Sequence, residues 1–499
     1  MSKTSELKKR KMNSNRAKKN HSAIGNISVS MIAQLVSLAV SFVLGIIVPK
    51  FITELDYANW QTYVMYIGFV GILHFGIVDG IVLRYSQYDY DQLDHSLIRS
   101  QLRIMLVYIS AFAALLAVFA IIFLSGVAQI LAILLSVGLV IKNYFWFSSS
   151  IFQTTLRIKK YAVMVILQRL AQCAVVIALL LSGVDNFVWY CLSEIIGDIV
   201  SGIMATVYNK EIVFGKPIKM HDALLEARKN ISSGFKLLFA NWTAVFILGS
   251  AKLAVQLGWD QLVFGKVSFA FSLVNLFLMF VSAVSIVLFP TLKRTEIKEL
   301  PDLYKRIRSA MTPILFFAMI AYFPFCWILN LWLPAYASSF EFLGILLPII
   351  VFSSRVNLLA NNYLKAYRKE KTLLLINLFS LVFGVIIFGI AAYFIKDLMI
   401  LLYCGILVIA INSFFLELAV SKIINRKFLL SYLVEFILIA GFVLATRAFS
   451  LPIGLAVYAG LFTVYMALAG KKFFRAIKRS SNAELSRGNS DSVPDKRDD

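Results

Sequence analysis

Long apolar stretches recur along nearly the whole chain, and the polar residues gather in short segments between them. About fourteen stretches are present, each of about 20–27 residues, which suffices to cross a hydrocarbon core roughly 30 Å thick as a helix. They lie near residues 24–48, 60–84, 102–124, 127–148, 161–182, 187–208, 234–257, 263–289, 311–333, 340–364, 372–395, 398–420, 428–447 and 451–470. Because a bilayer offers no hydrogen bonds to an open backbone, such segments should be helices. The pattern therefore predicts an all-α polytopic membrane protein with about 14 transmembrane helices.

The basic residues alternate between the predicted loops. The 499 residues include 49 Lys and Arg against 27 Asp and Glu. Of these 49, 41 fall in the two tails and the even-numbered loops, three in the odd-numbered loops and five within the apolar stretches. Cytoplasmic loops carry the excess of Lys and Arg, so both termini are predicted to be cytoplasmic. The excess of cytoplasmic Lys and Arg accounts for the net charge of +22. We therefore do not expect nucleic acid as a partner.

The loops divide the predicted helices into groups. We expect a basic cytoplasmic tail, an N-terminal six-helix bundle, a cytoplasmic linker, a C-terminal six-helix bundle, two extra helices and a disordered cytoplasmic tail. The corresponding boundaries are residues 1–23, 24–208, 209–233, 234–420, 421–470 and 471–499. The pair Asp56 and Trp60, after the first stretch, recurs as Asp260 and Phe264 after the seventh. This favours two parallel halves, which is one known plan of transporters.

Polar residues inside the stretches are the candidate functional residues. A charge at a helix centre costs about 2.5–3.5 kcal/mol on insertion scales, so it should face protein or water. The first stretch places Asn26, Ser30, Gln34, Ser37 and Ser41 on one helix face, at spacings of three and four. The seventh, eighth and tenth stretches add Asn241, Thr243, Ser250, Lys252 and Gln256; Lys266, Ser268, Ser272, Asn275 and Ser282; and Arg355, Asn357, Asn361 and Asn362. Such faces either line a cavity or serve helix packing, as small polar residues also do.

The cations on these faces favour a cavity and indicate an anionic cargo. Lys252 and Lys266 flank one predicted outward turn, and Arg355 lies deeper. Basic side chains attract phosphate, and Arg does so bidentately. A cation exporter would instead be expected to carry carboxylates, which the first stretch lacks.

Other charged residues within or beside the stretches receive structural interpretations. We assign coupling or structural roles to Asp79, Arg84 and Arg169. For Lys142, Glu194 and Glu435 we predict structural pairing, or snorkelling of the charged end to the interface.

No motif in the sequence predicts a catalysed reaction. Only 15% of the residues are charged and 60% are hydrophobic, whereas soluble chains are about 25% charged. The motifs GxxxxGK[ST], HExxH and GxSxG are absent, so we predict no catalytic residue, no metal site, no cofactor and no enzymatic activity. The four cysteines lie inside apolar stretches without a CxxC pair and are predicted to be small buried side chains; they are Cys173, Cys191, Cys326 and Cys404.

Four features together carry a resemblance. They are the basic tail leading into Asn26–Gln34, the run Thr53–Trp60, the run Phe75–Ile81, and the layout of six plus six plus two helices. In these the chain, over about residues 20–470, resembles the polysaccharide (O-antigen/capsule-type oligosaccharide) flippases of the multidrug/oligosaccharidyl-lipid/polysaccharide (MOP) superfamily.

The resemblance implies two six-helix bundles in a V around a central cavity, lined by stretches 1, 2, 7 and 8, with a C-terminal hairpin outside. It implies a flippase that moves a polyprenyl-pyrophosphate-linked oligosaccharide to the outer leaflet by alternating access, for cell-surface polysaccharide such as lipopolysaccharide or capsule. The implied partners are this lipid-linked oligosaccharide, membrane lipids, and the glycosyltransferases and polymerase of the same pathway. We expect a monomer in a bacterial or archaeal cell membrane. The residues that we assign to phosphate are Lys252, Lys266 and Arg355, and those assigned to sugar are Gln34, Asn241 and Asn275.

Three alternatives stay open. A lipid II flippase would be expected to carry arginines in the first stretch, and a drug/cation antiporter of the same superfamily would be expected to carry a carboxylate there. A membrane glycosyltransferase or polymerase would need a sizeable outer loop, whereas the longest predicted one, Pro49 to Asn59, has about eleven residues.

Overall fold

The computed structural model describes residues 29–294, 298–426, 428–468 and 470. Every regular element in these ranges is a helix, and no β-strand occurs there. Eleven of the described helices are long and apolar enough to cross a membrane, or up to fourteen when each of three bent pairs counts as one span. The predicted all-α membrane fold with about 14 spans is confirmed, and the chain is a multi-pass membrane protein. The cytoplasmic location of the termini stays a prediction.

The described chain forms two compact units, the first ending at Ser272 and the second beginning at Leu273. The helices that begin in the first unit are α1 (Val29–Phe51), α2 (Glu54–Ile67), α3 (Ile77–Tyr85), α4 (His95–Phe123), α5 (Gly126–Thr154), α6 (Ile158–Leu181), α7 (Phe187–Tyr208), α8 (Lys210–Val213), α9 (Met220–Gly258) and α10 (Gln261–Arg294). Short 3₁₀-helices follow α2 at Val70–His74 and α3 at Tyr90–Gln92.

The second unit continues the helical pattern. Its helices are α11 (Leu300–Ile320), α12 (Tyr322–Trp332), α13 (Ala337–Leu346), α14 (Ile349–Ser354), α15 (Asn361–Ala366), α16 (Glu370–Gly389), α17 (Leu398–Ile424), α18 (Leu429–Ala448) and α19 (Leu451–Leu468). A π-helix at Arg355–Ala360 joins α14 to α15. The span formed by Pro334–Leu346 and Ile349–Ala366 bends by 49°. Pro348 stands at the bend, where its missing N–H and its ring interrupt the helix.

Polar side chains cap the first turns of several spans. Thr53, Asp94, Asn186, Asp260 and Asp397 each accept a hydrogen bond from a backbone N–H in the following turn, at 2.8–3.0 Å. Such caps satisfy the N–H groups that a helix start leaves without partners. They let the apolar runs begin abruptly after very short turns.

Two predicted loops are shorter in the structure. The outward segment Pro49 to Asn59 reduces to Ile52 and Thr53, because α1 ends at Phe51 and α2 begins at Glu54. The predicted linker, residues 209–233, contains α8 and the first turns of α9. Capping at Thr53 explains the first difference, since hydropathy alone does not mark a polar first turn as helical.

Polar contacts fix the part of that linker that precedes α9 to α4 and to the 3₁₀-helix at Tyr90–Gln92. The Arg99 guanidinium donates to the backbone carbonyl oxygen of Lys216 at 2.5 Å and to that of Glu211. The Tyr90 hydroxyl donates to the Glu211 carboxylate at 2.8 Å. Burial, together with this carboxylate, raises the pKa of Tyr90 to about 12, so the phenol remains a donor at physiological pH.

The second predicted span is broken near its end. Glu54–His74 and Ile77–Tyr85 meet at an angle of 56°. Phe75 and Gly76 both adopt left-handed backbone conformations there, with φ of 48° and 87°. Gly76 accepts this conformation at no steric cost, so the run Phe75–Ile81 marks a bend.

The bend lays α3 directly on the backbone of α9. A Cβ atom on Gly80 would lie 2.0 Å from the carbonyl oxygen of Asn230, and one on Gly234 would lie 2.0 Å from that of Gly76. Gly76 and Gly80 are four residues apart and so share a helix face. This small-xxx-small spacing is the one that lets helices in membranes approach closely.

We therefore expect Gly80→Ala to lower the stability of the protein by about 1–3 kcal/mol, because backbone atoms cannot move aside for the added methyl group. Gly405→Ala in α17 is the matched control, since a Cβ there meets nothing within 4 Å. It should be neutral, or stabilising by about 0.5–1 kcal/mol. Thermal unfolding of the purified proteins in detergent measures both. Equal melting temperatures for Gly80→Ala and the wild type would contradict the close contact.

Candidate functional site

A cavity of about 850 Å³ opens in the first unit. Most of its wall is apolar and comes from α2, the 3₁₀-helix that follows it, α4 and α5. Leu131, Leu135 and Leu139 lie on one face of α5, and Tyr66 and Phe69 face the cavity from the second span. The volume lies within the range of about 300–1,000 Å³ typical of small-molecule sites.

One edge of the cavity is polar. Asn59 and Thr62 of α2 meet Gln256 and Gln261 from the two sides of the α9–α10 turn. The Gln261 amide donates to the Thr62 hydroxyl at 2.7 Å, and the Gln256 amide donates to the Gln261 carbonyl at 3.2 Å. We call these four residues the polar edge. Of these four, only Gln256 is among the candidate residues predicted from the sequence. The others could have been found from the recurrence of amides and hydroxyls on both sides of one predicted turn.

The two predicted phosphate-binding lysines lie near this edge but differ in their surroundings. Lys252 is half-buried, with its Nζ atom 5.7 Å from the centre of the Phe264 ring. Among the residues that the structure describes, no carboxylate is within ion-pair distance of it. The Lys266 ammonium lies 3.3 Å from the Glu54 carboxylate, and both side chains are about one-third exposed. Lys252 is therefore the better placed of the two to bind an anion.

The sequence predicts that Arg355 lines a cavity, and this predicted location is wrong. Its side chain is 2% exposed, and its Nη2 atom lies 2.5 Å from the Glu435 carboxylate. A cation that already pairs with a buried acid has no open side for a phosphate in this conformation. The sequence does not reveal this, because the partner lies eighty residues further along the chain.

Arg355 belongs to a buried group of five side chains in the second unit. Arg308 donates to Glu417 and lies 3.3 Å from Glu435, while Tyr432 donates to Glu417. The charged side chains are at most 6% exposed. We call this group the arginine–glutamate cluster. Two cations balance two anions in this cluster, which joins α11, the π-helix, α17 and α18. The predicted pairing of Glu435 is confirmed.

A second buried ionic group lies in the first unit. The Lys142 ammonium of α5 lies 2.9 Å from both the Glu194 and the Asp198 carboxylates of α7. Asp198 also accepts a hydrogen bond at 2.6 Å from Gln168 of α6. We call Lys142, Glu194 and Asp198 the lysine triad. The pairing predicted for Lys142 and Glu194 is confirmed, and Asp198 is an additional member.

The residues assigned to sugar lie elsewhere. Gln34 is half-buried on α1, while Asn241 of α9 and Asn275 of α10 are exposed. None of the three lines the 850 Å³ cavity, so their role stays a prediction. Asn26, the first residue of the predicted polar face on α1, lies outside the described residues.

The three residues with predicted coupling or structural roles all make contacts within the first unit. Asp79 lies 3.8 Å from His74, and Arg84 of α3 lies 2.5 Å from Glu226 of α9. Arg169 donates to Gln172 on its own helix, at 3.2 Å. The contact of Arg84 adds to the glycine contact between α3 and α9; a coupling role for any of the three stays a prediction.

Fold and site define a multi-pass helical membrane protein with an apolar cavity, a polar edge and basic residues near it. The family described as polysaccharide biosynthesis protein matches residues 23–296, more than half of the chain. The chain belongs to this family, as the resemblance implied.

Two solved structures share the fold over most of their length. Lipid II flippase MurJ in an inward closed conformation aligns with a TM-score of 0.63 at 13% identity, covering 89% of this chain and 99% of that one. A multidrug resistance MATE family transporter of the MOP superfamily, in an inward-facing conformation, aligns with a TM-score of 0.53 at 13% identity, covering 84% and 98%. A sequence comparison with curated proteins gives no match.

The arginine–glutamate cluster predicts a coupled loss of stability. Arg355→Met should cost about 3–5 kcal/mol, because it leaves two buried acids, Glu417 and Glu435, with Arg308 as the one arginine of the cluster. Adding Glu435→Gln should recover about 1–3 kcal/mol, since the two side chains interact directly. Unfolding of the single and double variants in detergent gives the interaction energy.

Arg426→Met is the control for this cycle. Arg426 pairs with Asp302 at 3.2 Å, but their side chains are 49% and 68% exposed. An exposed pair contributes about 0–1 kcal/mol. If Arg355→Met cost no more than Arg426→Met, the cluster would not have the structural role that its burial indicates.

Proposed function

We propose that this protein is a flippase that moves a polyprenyl-pyrophosphate-linked oligosaccharide from the cytoplasmic to the outer leaflet by alternating access. Membership of the polysaccharide biosynthesis family supports a substrate of this pathway. The fold is one that transporters and a flippase also have. The observation that carries the proposal is the cavity of the first unit, because it combines an apolar wall with a polar edge. Lys252 and Lys266 do not line this cavity but lie within two helical turns of the polar-edge residues Gln256 and Gln261 in sequence.

The substrate has an apolar isoprenoid chain, a charged pyrophosphate and a hydroxyl-rich glycan. The leucine-lined wall of the cavity suits the apolar part, and the polar edge offers amide and hydroxyl groups that can hydrogen-bond the glycan. Lys252 precedes Gln256 by four residues and so lies on the same face of α9. Its ammonium has no carboxylate partner among the described residues and suits the pyrophosphate.

Lys266 is the second candidate for the phosphate. Its partner Glu54 directly precedes Leu55, which lines the cavity. An arriving anion would compete with the Glu54 carboxylate for the lysine. Such exchange of partners makes binding reversible, as transport requires. Arg355 is left out of the phosphate site because it is buried in the arginine–glutamate cluster.

The wider expectations belong to the same proposal. The protein would act as a monomer in a bacterial or archaeal cell membrane, between the glycosyltransferases that assemble the glycan and the polymerase that consumes it. The chain itself would carry out no chemical reaction and would need no cofactor.

Lys252→Gln should weaken binding of polyprenyl pyrophosphate by about ten- to a hundredfold, since a hydrogen bond to a charged group contributes about 1.5–3 kcal/mol. Purified protein in nanodiscs, titrated with polyprenyl pyrophosphate, gives the Kd. Lys396→Gln is the control, because this exposed lysine lies in a turn of the second unit. Unchanged Kd values in Lys252→Gln would remove this lysine from the site.

The cavity can also be blocked directly. Leu135→Trp should fill part of it and reduce export of surface glycan at least severalfold, in cells that lack their own flippase. Ile133→Trp is the matched control on the same helix; this residue is 37% exposed and does not line the cavity. Both variants should reach the membrane in equal amounts. Normal export with Leu135→Trp would show that the cavity is not on the transport path.

A further inference from the structure

The lysine triad is unbalanced in charge, in contrast to the other buried ionic group. Lys142 supplies one positive charge, whereas Glu194 and Asp198 supply two negative charges at equal distances of 2.9 Å. The side chains are 12%, 14% and 3% exposed. A bare charge in such surroundings is costly, and a carboxyl group there takes up a proton in preference to staying charged.

The groups around the triad do not remove this imbalance. From α6, Gln168 contributes a neutral amide, and Arg169 donates to Gln172 at 3.2 Å; within the described ranges Arg169 makes no ion pair. From α7 itself, the buried thiol of Cys191 interacts with Glu194. Apart from Lys142, the titratable groups of the described residues that interact with the triad are therefore neutral or acidic, and Arg169 donates its hydrogen bond to Gln172.

A second observation concerns the buried hydroxyl of Tyr63 in α2. Its side chain is fully buried, and its hydroxyl has no hydrogen-bond partner among the described residues. The hydroxyl lies against Gly138, one turn before Lys142, and it interacts electrostatically with Glu194 and Asp198. A buried hydroxyl without a hydrogen-bond partner needs an explanation, and hydrogen bonds that change with the charge of the neighbouring carboxylates would supply one.

We propose that Lys142, Glu194 and Asp198 form a proton-binding site in which the two carboxylates together hold one proton beside the lysine. The proton comes from water, converts one carboxylate to a carboxylic acid and brings the triad from a net charge of −1 to zero. Glu194 is the more exposed of the two acids, with 14% of its side chain accessible against 3% for Asp198. Release returns the proton to water and restores the second carboxylate.

The site is connected to the cavity through one turn of α2. Thr62 belongs to the polar edge of the cavity, and the adjacent Tyr63 interacts electrostatically with Glu194 and Asp198 of the triad. A change in the charge of the triad therefore acts on the helix that lines the cavity. If the transport proposed above is correct, on which this step rests, uptake and release of the proton accompany the movement of the substrate.

Infrared spectroscopy of the full-length protein in nanodiscs tests the proton directly. Exposed Asp and Glu, with pKa values of about 3.9 and 4.3, are ionised at neutral pH, so a carbonyl band of a protonated carboxylic acid at that pH reports a special site. We expect this band in the wild type. It should be lost both in Glu194→Gln and in Asp198→Asn, because each leaves one carboxylate opposite one ammonium, a balanced pair.

Asp302→Asn is the control, since this exposed acid lies in the second unit and should leave the band unchanged. Absence of the band in the wild type, or its retention in either triad variant, would overturn the proposal. Should Asp198→Asn fail to fold, Glu194→Gln decides alone, because Glu194 is the less buried of the two acids.

The titration with polyprenyl pyrophosphate separates this proposal from the proposed function. Export and binding that persist in a protein without the band would overturn the proton site alone. The expected band in a protein that binds no polyprenyl pyrophosphate would count against the proposed substrate and leave the proton site standing.

Discussion

The cost of an isolated charge in the membrane governs where this protein places its ionisable side chains. Arg355, Arg308 and Lys142 would each be costly alone at membrane depth, and each is held by carboxylates. These pairs join helices that are distant in sequence, so neutralisation and helix packing are solved together. Where the positive and negative charges are equal in number, as in the arginine–glutamate cluster, the ionic group has a structural role. Where the negative charges exceed the positive ones, as in the lysine triad, a proton is the simplest counterion.

In the first unit, close backbone contact also holds helices together, as buried ion pairs do in the second unit. The bend at Phe75 and Gly76 lets Gly80 lie on α9, and Arg84 then reaches Glu226. Without a hydrophobic driving force between helices in lipid, such contacts rely on small residues and on polar bonds. The run Phe75–Ile81, which contributed to the family resemblance, thus has a structural reason.

The spans could be predicted from the sequence because their signal is local: an apolar run of sufficient length must be a helix. The partners of charged residues could not be predicted, because they are set by the packing of helices. Arg308 and Glu417 are 109 residues apart, and Lys142 and Glu194 are 52 apart. The position of Arg355 near three asparagines indicated a cavity lining, but Glu417 and Glu435 lie on helices that no pattern in the tenth stretch could reveal.

On the same electrostatic ground, Lys252 is the residue that bears most directly on the proposed cargo. A half-buried ammonium needs a compensating partner, and an aromatic ring such as Phe264 supplies only part of that stabilisation. The other intramembrane cations of the predicted set already have acids, whether fully, as for Arg355, or in part, as for Lys266. An anionic headgroup beside the polar edge would complete the charge balance around Lys252 that the chain completes for itself around the arginines. Within the described residues, the missing acid partner of Lys252 therefore supports the phosphorylated lipid proposed above as the substrate.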